Sequence, residues 1–252
     1  DTHSLHRGDA PLLVSLPHVG TSIPPEIRSD FVEHAHAVAD TDWFLDRLYG
    51  FVRGLGASLL VPRCSRYVVD LNRPPDDQPM YAGANNTELC PTRAFTGDAL
   101  YREGRAPDAA EVQRRVAAYW QPYHDALRSE LARLRDLHGH AVLLDGHSIK
   151  SELPWLFEGT LPHLNLGTAG GASCAATLEQ RIVGVFAAQS RYTWVLNGRF
   201  KGGYITRHYG RPDAGVPLDH RCPPAQAQKQ ALQPRRLAGD EGDPQPATVD
   251  LL

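Results

Sequence analysis

Short apolar runs alternate along the chain with stretches whose apolar positions recur at helical spacing. PLLVSL (11–16), ASLLVP (57–62), RYVVDL (66–71), HAVLLD (140–145) and residues 192–197 have strand length and continuous apolarity, the pattern of strands buried on both faces. Between the first two, the spacing predicts a short helix over 31–39. A second helix is expected from Thr41 or Asp42, with Trp43, Leu45, Leu48, Phe51 and Val52 at helical spacing until Gly54 and Gly56 end it. Val112, Val116, Tyr119, Tyr123, Leu127, Leu131 and Leu134 trace one face of a long helix that Pro122 should kink. A glycine-rich loop (167–173) then leads into a helix over 175–189. Residues 74–110, rich in Pro, Asp, Asn and Gly, read as a long surface excursion, a feature that in compact domains is functional or disordered.

This alternation predicts an α/β fold: a single domain with a mixed, mostly parallel sheet and helices on both faces. Sheets of that kind carry their sites beyond the carboxyl ends of the strands. His18 follows the first strand, Asn72 and Arg73 follow the third, and Asp145-Gly146-His147 close the fourth, so three polar clusters should converge. The patterned domain spans 1–216. Residues 217–252 hold six prolines, no aromatic residue and no sustained period, and are expected to form a poorly ordered tail.

Composition narrows the function. The net charge of -3, from 26 basic and 29 acidic residues, and the lack of a basic run exclude a nucleic-acid partner. No apolar stretch approaches the roughly 18 residues of a membrane span, and the first residues lack a signal-peptide pattern. Asp1 in place of Met reads as a missing start. Cys64, Cys90, Cys174 and Cys222 are too scattered for a disulfide framework or a cysteine zinc site, which points to reduced thiols and a cytoplasmic protein.

The candidate chemistry lies at the strand ends. Two histidines and a carboxylate make a catalytic zinc site with an open position, and His18 and His147 supply the histidines. Either alone reads more readily as a hydrogen-bonded structural imidazole; the placement of both at strand ends makes ligation an equal alternative. Asp42 is the expected third ligand, with Asp40 as substitute, although helix capping accounts for both. Asp145 is expected to orient His147 from behind. Arg66, Asn72 and Arg73 suit a substrate carboxylate, since guanidinium presents a planar two-donor fork; a buried ion pair with Asp70 is the alternative. Arg199, Lys201, Arg207 and His208, set among the glycines of NGRFKGGYITRHYG, suit an anionic ligand or, as readily, a solvated basic hairpin.

PHVGTSIP, ADTDWFLDRLY, SRYVVDLNRP, LLDGHSIKS, LFEGTLPHLNLGT and LNGRFKGGYITRHYG together resemble the N-formylglutamate deformylases, from about residue 5 to 216. The resemblance implies a fold related to zinc carboxypeptidases and aspartoacylases. It implies hydrolysis of N-formyl-L-glutamate, a small N-acyl amino acid, to formate and glutamate in histidine degradation. It further implies Zn2+ or another divalent metal on His18 and His147, with Arg66 polarising the scissile carbonyl and Asn72 and Arg73 gripping substrate carboxylate. Two departures stand out. Thr21 replaces the glutamate that aspartoacylase-like relatives place three residues after the first histidine, so Asp42 must supply the carboxylate. The strand expected to carry a catalytic glutamate after Tyr-Gly-x-Pro is replaced by VPLDHRCPPAQ, which reads as a frame-shifted tail. Glu152 and Glu158 are weak stand-ins for that proton carrier, so poor turnover is expected. Hydrolysis of another N-acyl amino acid or peptide, or a non-catalytic carboxylate- or metal-binding role, are the alternatives.

Overall fold

The computed structural model describes residues 1–79, 86–212 and, for the backbone alone, 247–251. Its strands are β1 (His3–His6), β2 (Leu12–Ser15), β3 (Ser58–Pro62), β4 (Val142–Ser148), β5 (Leu164–Gly167), β6 (Trp194–Leu196) and β7 (Ala247–Leu251). They form one sheet in the order β1-β3-β2-β4-β7-β5-β6. The β2–β3, β2–β4, β5–β6 and β5–β7 pairings are parallel, whereas β1–β3 and β4–β7 are antiparallel. The sheet is therefore mixed and mostly parallel, as the alternation implies.

The helices are α1 (Pro25–Arg28), α2 (Leu45–Leu48), α3 (Ala109–Arg115), α4 (Gln121–His138), α5 (Ala176–Ala187) and α6 (Tyr204–Tyr209). Successive strand residues point to opposite faces, and the core divides accordingly. Leu13, Leu60 and Leu143 pack with Tyr123, Leu127 and Leu134 of α4. Their neighbours Val14 and Leu59 pack with Leu45, Tyr49 and Val52 on the other side. Each fully buried leucine contributes roughly 1.5–3 kcal/mol through the area it removes from water, so this half of the sheet is held from both faces. A third cluster, around Phe31, Tyr67, Val68 and Leu100, anchors the long excursion beside α1.

Several elements differ from expectation. The long helix is interrupted: α3 passes into a π-helical turn over Val116–Trp120 before α4 begins, because Pro122 has no N–H to continue the regular ladder. The helix expected from residue 42 is only the single turn α2 followed by a 3-10 segment, Tyr49–Leu55, and leaves Trp43, Phe44, Leu48 and Phe51 exposed. Residues 66–71 are buried as predicted yet form no strand. Buried carbonyls need donors, and here side chains supply them. Val68 O accepts from Arg115 at 3.2 Å, Leu71 O from His124 at 2.9 Å and Arg73 O from Trp120 at 3.0 Å. Strands β1 and β5 were not expected. Residues 217–246 of the predicted tail, with 213–216 before them, lie outside the described residues, while Ala247–Leu251 pair in the sheet between β4 and β5.

Candidate active site

The carboxyl ends of β2 and β4 converge as the strand-end rule requires. His18 lies three residues beyond β2, and His147 is the penultimate residue of β4, their rings 4.8 Å apart. Asp42 reaches them from the segment before α2, where its backbone N–H donates to His18 O at 3.0 Å. No cap competes for its side chain: α2 starts from Phe44 in the left-handed region (φ 62°) with no side-chain cap bond. The Asp42 carboxylate lies 3.7 Å from His18 Nδ1 and 3.2 Å from His147 Nδ1, and one ligand atom from each residue falls within 4.8 Å of the others. All three side chains are buried, with Asp42 2% exposed. Asp40, the substitute ligand, instead accepts from Phe95 N at 2.8 Å and does not line the cleft.

Each imidazole is tied from behind. His18 Nε2 donates to Asp70 at 2.7 Å, and His147 Nε2 donates to Asp145 at 2.8 Å. Both histidines thus turn Nδ1 toward Asp42, an arrangement that fixes tautomer and ring orientation for ligation. Burial lowers the His18 pKa and the neighbouring Arg66 lowers it further, against the pull of Asp70, which favours a neutral, ligand-ready ring. Burial alone would lower His147 too, but the carboxylates of Asp145 and Asp42 outweigh it and raise the pKa well above the ordinary range. This pocket stabilises positive charge at the imidazole face. Two imidazole nitrogens, one carboxylate oxygen and paired ring N–H groups form the donor set that zinc and similar divalent ions take.

These residues line a cleft that also reaches Arg66, Asn72, Arg73 and Arg199. Arg66 donates to Asp70 at 2.5 Å, comes within 3.5 Å of His18 Nδ1 and stacks over Phe95 at 4.4 Å from the ring centre. The ion pair with Asp70 and the cleft position are therefore both realised. Burial would raise the Asp70 pKa, but Arg66 and His18 outweigh this and hold it well below the usual carboxylate range. Arg73 is braced by Thr87, whose carbonyl and hydroxyl accept at 3.0 and 3.1 Å. Lys201 and Arg207 do not line the cleft. Lys201 is exposed, and Arg207 points along the outside of the turn, donating to Gly202 O at 3.1 Å. The glycines turn the chain so that Arg199 faces inward and the other two cations do not.

The sequence profile of the N-formylglutamate amidohydrolase family matches residues 10–218. The chain belongs to this family. It is 54% identical over 213 residues to an N-formylglutamate deformylase of Pseudomonas aeruginosa, covering 84% of this chain and 80% of that protein. An N-formylglutamate deformylase of Pseudomonas putida is 52% identical over 209 residues, covering 83% of this chain and 78% of that protein. Among solved structures, the N-formylglutamate amidohydrolase of Ralstonia eutropha JMP134 superposes with a TM-score of 0.71 at 25% identity, over 84% of this chain and 81% of that one. Asp70, which holds both His18 and Arg66, is a part of the candidate site that the sequence pattern did not single out. A charged residue between Val69 and Leu71 signalled an obligatory partner, but not that the partners would be both Arg66 and His18. Glu152 and Glu158 do not line the cleft, and Glu152 is engaged by the Thr160 hydroxyl at 2.7 Å. No helix among the described residues is long and apolar enough to cross a membrane.

Proposed function

We propose that this chain hydrolyses the formamide bond of N-formyl-L-glutamate, releasing formate and L-glutamate, with a divalent cation, zinc by donor chemistry, on His18, Asp42 and His147. The observation that carries the reading is this buried triad at the floor of an arginine-lined cleft. Bound there, a divalent cation supplies Lewis acidity toward a carbonyl oxygen and acidifies water. The protein's own groups do the rest. Arg66, fixed by Asp70 beside the triad, offers N–H donors where negative charge develops on the formyl oxygen. The substrate carries two carboxylates, and Arg73 and Arg199 are the cleft cations suited to them. The Ser148 hydroxyl, beside the cleft, is buried with no hydrogen-bond partner among the described residues. Reduced Cys64, Cys90 and Cys174 suit a cytoplasmic setting, in keeping with a role in histidine degradation.

Among the described residues, Asp42 is the sole carboxylate lining the cleft, and it belongs to the triad. Among these described residues no other lining carboxylate is left to carry the proton to the leaving amine, and on that ground we expect weak turnover by this chain. The same observation favours a second reading, a binder that keeps cation and dicarboxylate without turnover. Formate release from N-formylglutamate and acetate release from N-acetylaspartate, with zinc added, test both. Slow release confined to formylglutamate supports the first reading, zinc-dependent binding without release supports the second, and preference for acetylaspartate overturns the substrate assignment.

A further inference from the structure

We infer that Asn72 is a positioning residue for His147, acting through Asp145, and not a contact for substrate carboxylate. Its carboxamide is engaged at both ends inside the protein. Nδ2 donates to Asp145 Oδ2 at 3.1 Å and lies 3.0 Å from His147 Nε2, and Oδ1 accepts from Ile205 N at 2.8 Å. Asp145 is thereby locked. Its Oδ1 accepts from Ser15 Oγ at 2.8 Å, itself 3.0 Å from the Tyr123 hydroxyl, while Oδ2 receives both Asn72 and His147. A carboxylate held at both oxygens cannot swing away, so a hydrogen stays on His147 Nε2 and the ring keeps Nδ1 facing Asp42, the atom that offers a lone pair once its own proton is displaced.

The brace is itself braced. The carbonyls on either side of Asn72, those of Leu71 and Arg73, accept from His124 on α4 and from Trp120, which ends the π-helical turn just before it. From the opposite side, Gly203 presses so closely that a Cβ there would lie 2.3 Å from Asn72 Nδ2. Such packing fixes the amide's rotation and leaves it little freedom to follow a ligand. Arg73, one residue on, has its guanidinium in the same cleft, so adjacent residues divide the work: one orients the triad and the other meets substrate.

The metal arm of the test rests on the divalent-cation reading above. Zinc affinity, by competition with a chromophoric chelator, and N-formylglutamate affinity, by calorimetry on zinc-loaded protein, are measured for the intact chain, Asn72→Leu and Gly203→Ala. The expected result is zinc affinity about 10- to 100-fold weaker in both variants, the scale for loss of an outer-shell partner, with formylglutamate affinity within about threefold. In an Asn72→Leu/Asp145→Asn pair, zinc loss should not exceed that of Asp145→Asn alone. Formylglutamate affinity falling tenfold or more with zinc affinity retained would overturn the inference. If Asn72→Leu does not fold, Gly203→Ala gives the same discrimination. An unaltered chain that fails to hold zinc sinks the cation reading. Asn72 is then judged by formylglutamate binding alone, with unchanged affinity in the variants supporting a positioning role and a tenfold loss refuting it.

Discussion

Acidification should unfasten this protein through His124. The residue is fully buried on α4, its Nε2 donating to Leu71 O at 2.9 Å and its Nδ1 accepting from the Tyr209 hydroxyl at 3.0 Å, with Trp120 stacked 3.7 Å away. Neither nitrogen can take a further proton without losing a bond, and burial pushes the pKa down from 6.5 to about 4. The sign follows from linkage. Between pH 6.5 and 4 the unfolded chain holds a proton on His124 that the folded chain does not, so stability is intact at neutral pH and is lost as pH falls through this window. A difference of about 2.5 pH units, at about 1.36 kcal/mol each, amounts to about 3 kcal/mol by pH 4, a large fraction of the total for a domain whose net stability is about 5–15 kcal/mol. Urea unfolding at pH 7, 5.5 and 4 on the intact chain and on His124→Gln checks this. Gln keeps a donor for Leu71 O but does not titrate, so its stability should fall by about 3 kcal/mol less across the same range. The comparison cancels every other titrating group, including His147, whose raised pKa acts in the opposite direction. Parallel curves for the two proteins would refute the assignment.

Two further predictions concern the cleft. Asp42→Asn removes the carboxylate between the two Nδ1 atoms and should reduce zinc retention on dialysis at least tenfold, whereas Asp40→Asn, whose parent carboxylate holds Phe95 N, should lower the melting temperature and leave zinc retention near that of the intact chain. Arg199→Ala should weaken N-formylglutamate binding by about 1.5–3 kcal/mol, roughly 10- to 100-fold, while Lys201→Ala and Arg207→Ala should change it less than threefold; calorimetry on the three variants ranks them, and equal losses would mean the basic segment acts as one patch.

Much of this architecture can be read along the chain, for identifiable reasons. PLLVSL and HAVLLD end in polar clusters because a parallel sheet buries its strands and frees their ends, so His18 and His147 could be brought together from pattern alone. Asp42 was separable from Asp40 only in three dimensions, since both sit in the same short acidic stretch and differ in what lies opposite them. Residues 66–71 read as a strand because apolar continuity reports burial and not hydrogen-bonding partners; the donors for the carbonyls of this stretch and of Arg73 beyond it come from Arg115, His124 and Trp120, more than forty residues away. Edge strand β1 is too short and too polar to announce itself, its burial alternating along His3–His6. Charge composition placed Arg199, Lys201 and Arg207 in one group, and only the turn at the glycines separates the inward cation from the outward ones.

On the proposed cation reading, the two carboxylates behind the imidazoles give a divalent ion an advantage over a proton alone. Asp70 serves His18 but is shared with Arg66, so its charge is already balanced and His18 stays neutral. Among the described residues Asp145 serves His147 without a guanidinium partner, receiving neutral donors from Ser15 and Asn72, and Asp42 adds a further negative charge on the ring's other side. The triad therefore carries an excess of negative charge concentrated at His147 Nδ1 and Asp42, buried from solvent. A proton on His147 relieves it in part; a divalent ion relieves it fully and also engages His18, which a proton on His147 does not. Cation binding should accordingly release a proton from His147, and zinc affinity should rise as pH increases from 6 to 8. Affinity independent of pH over that range would mean that His147 is already neutral, and that Asp145 and Asp42 do not act on it together.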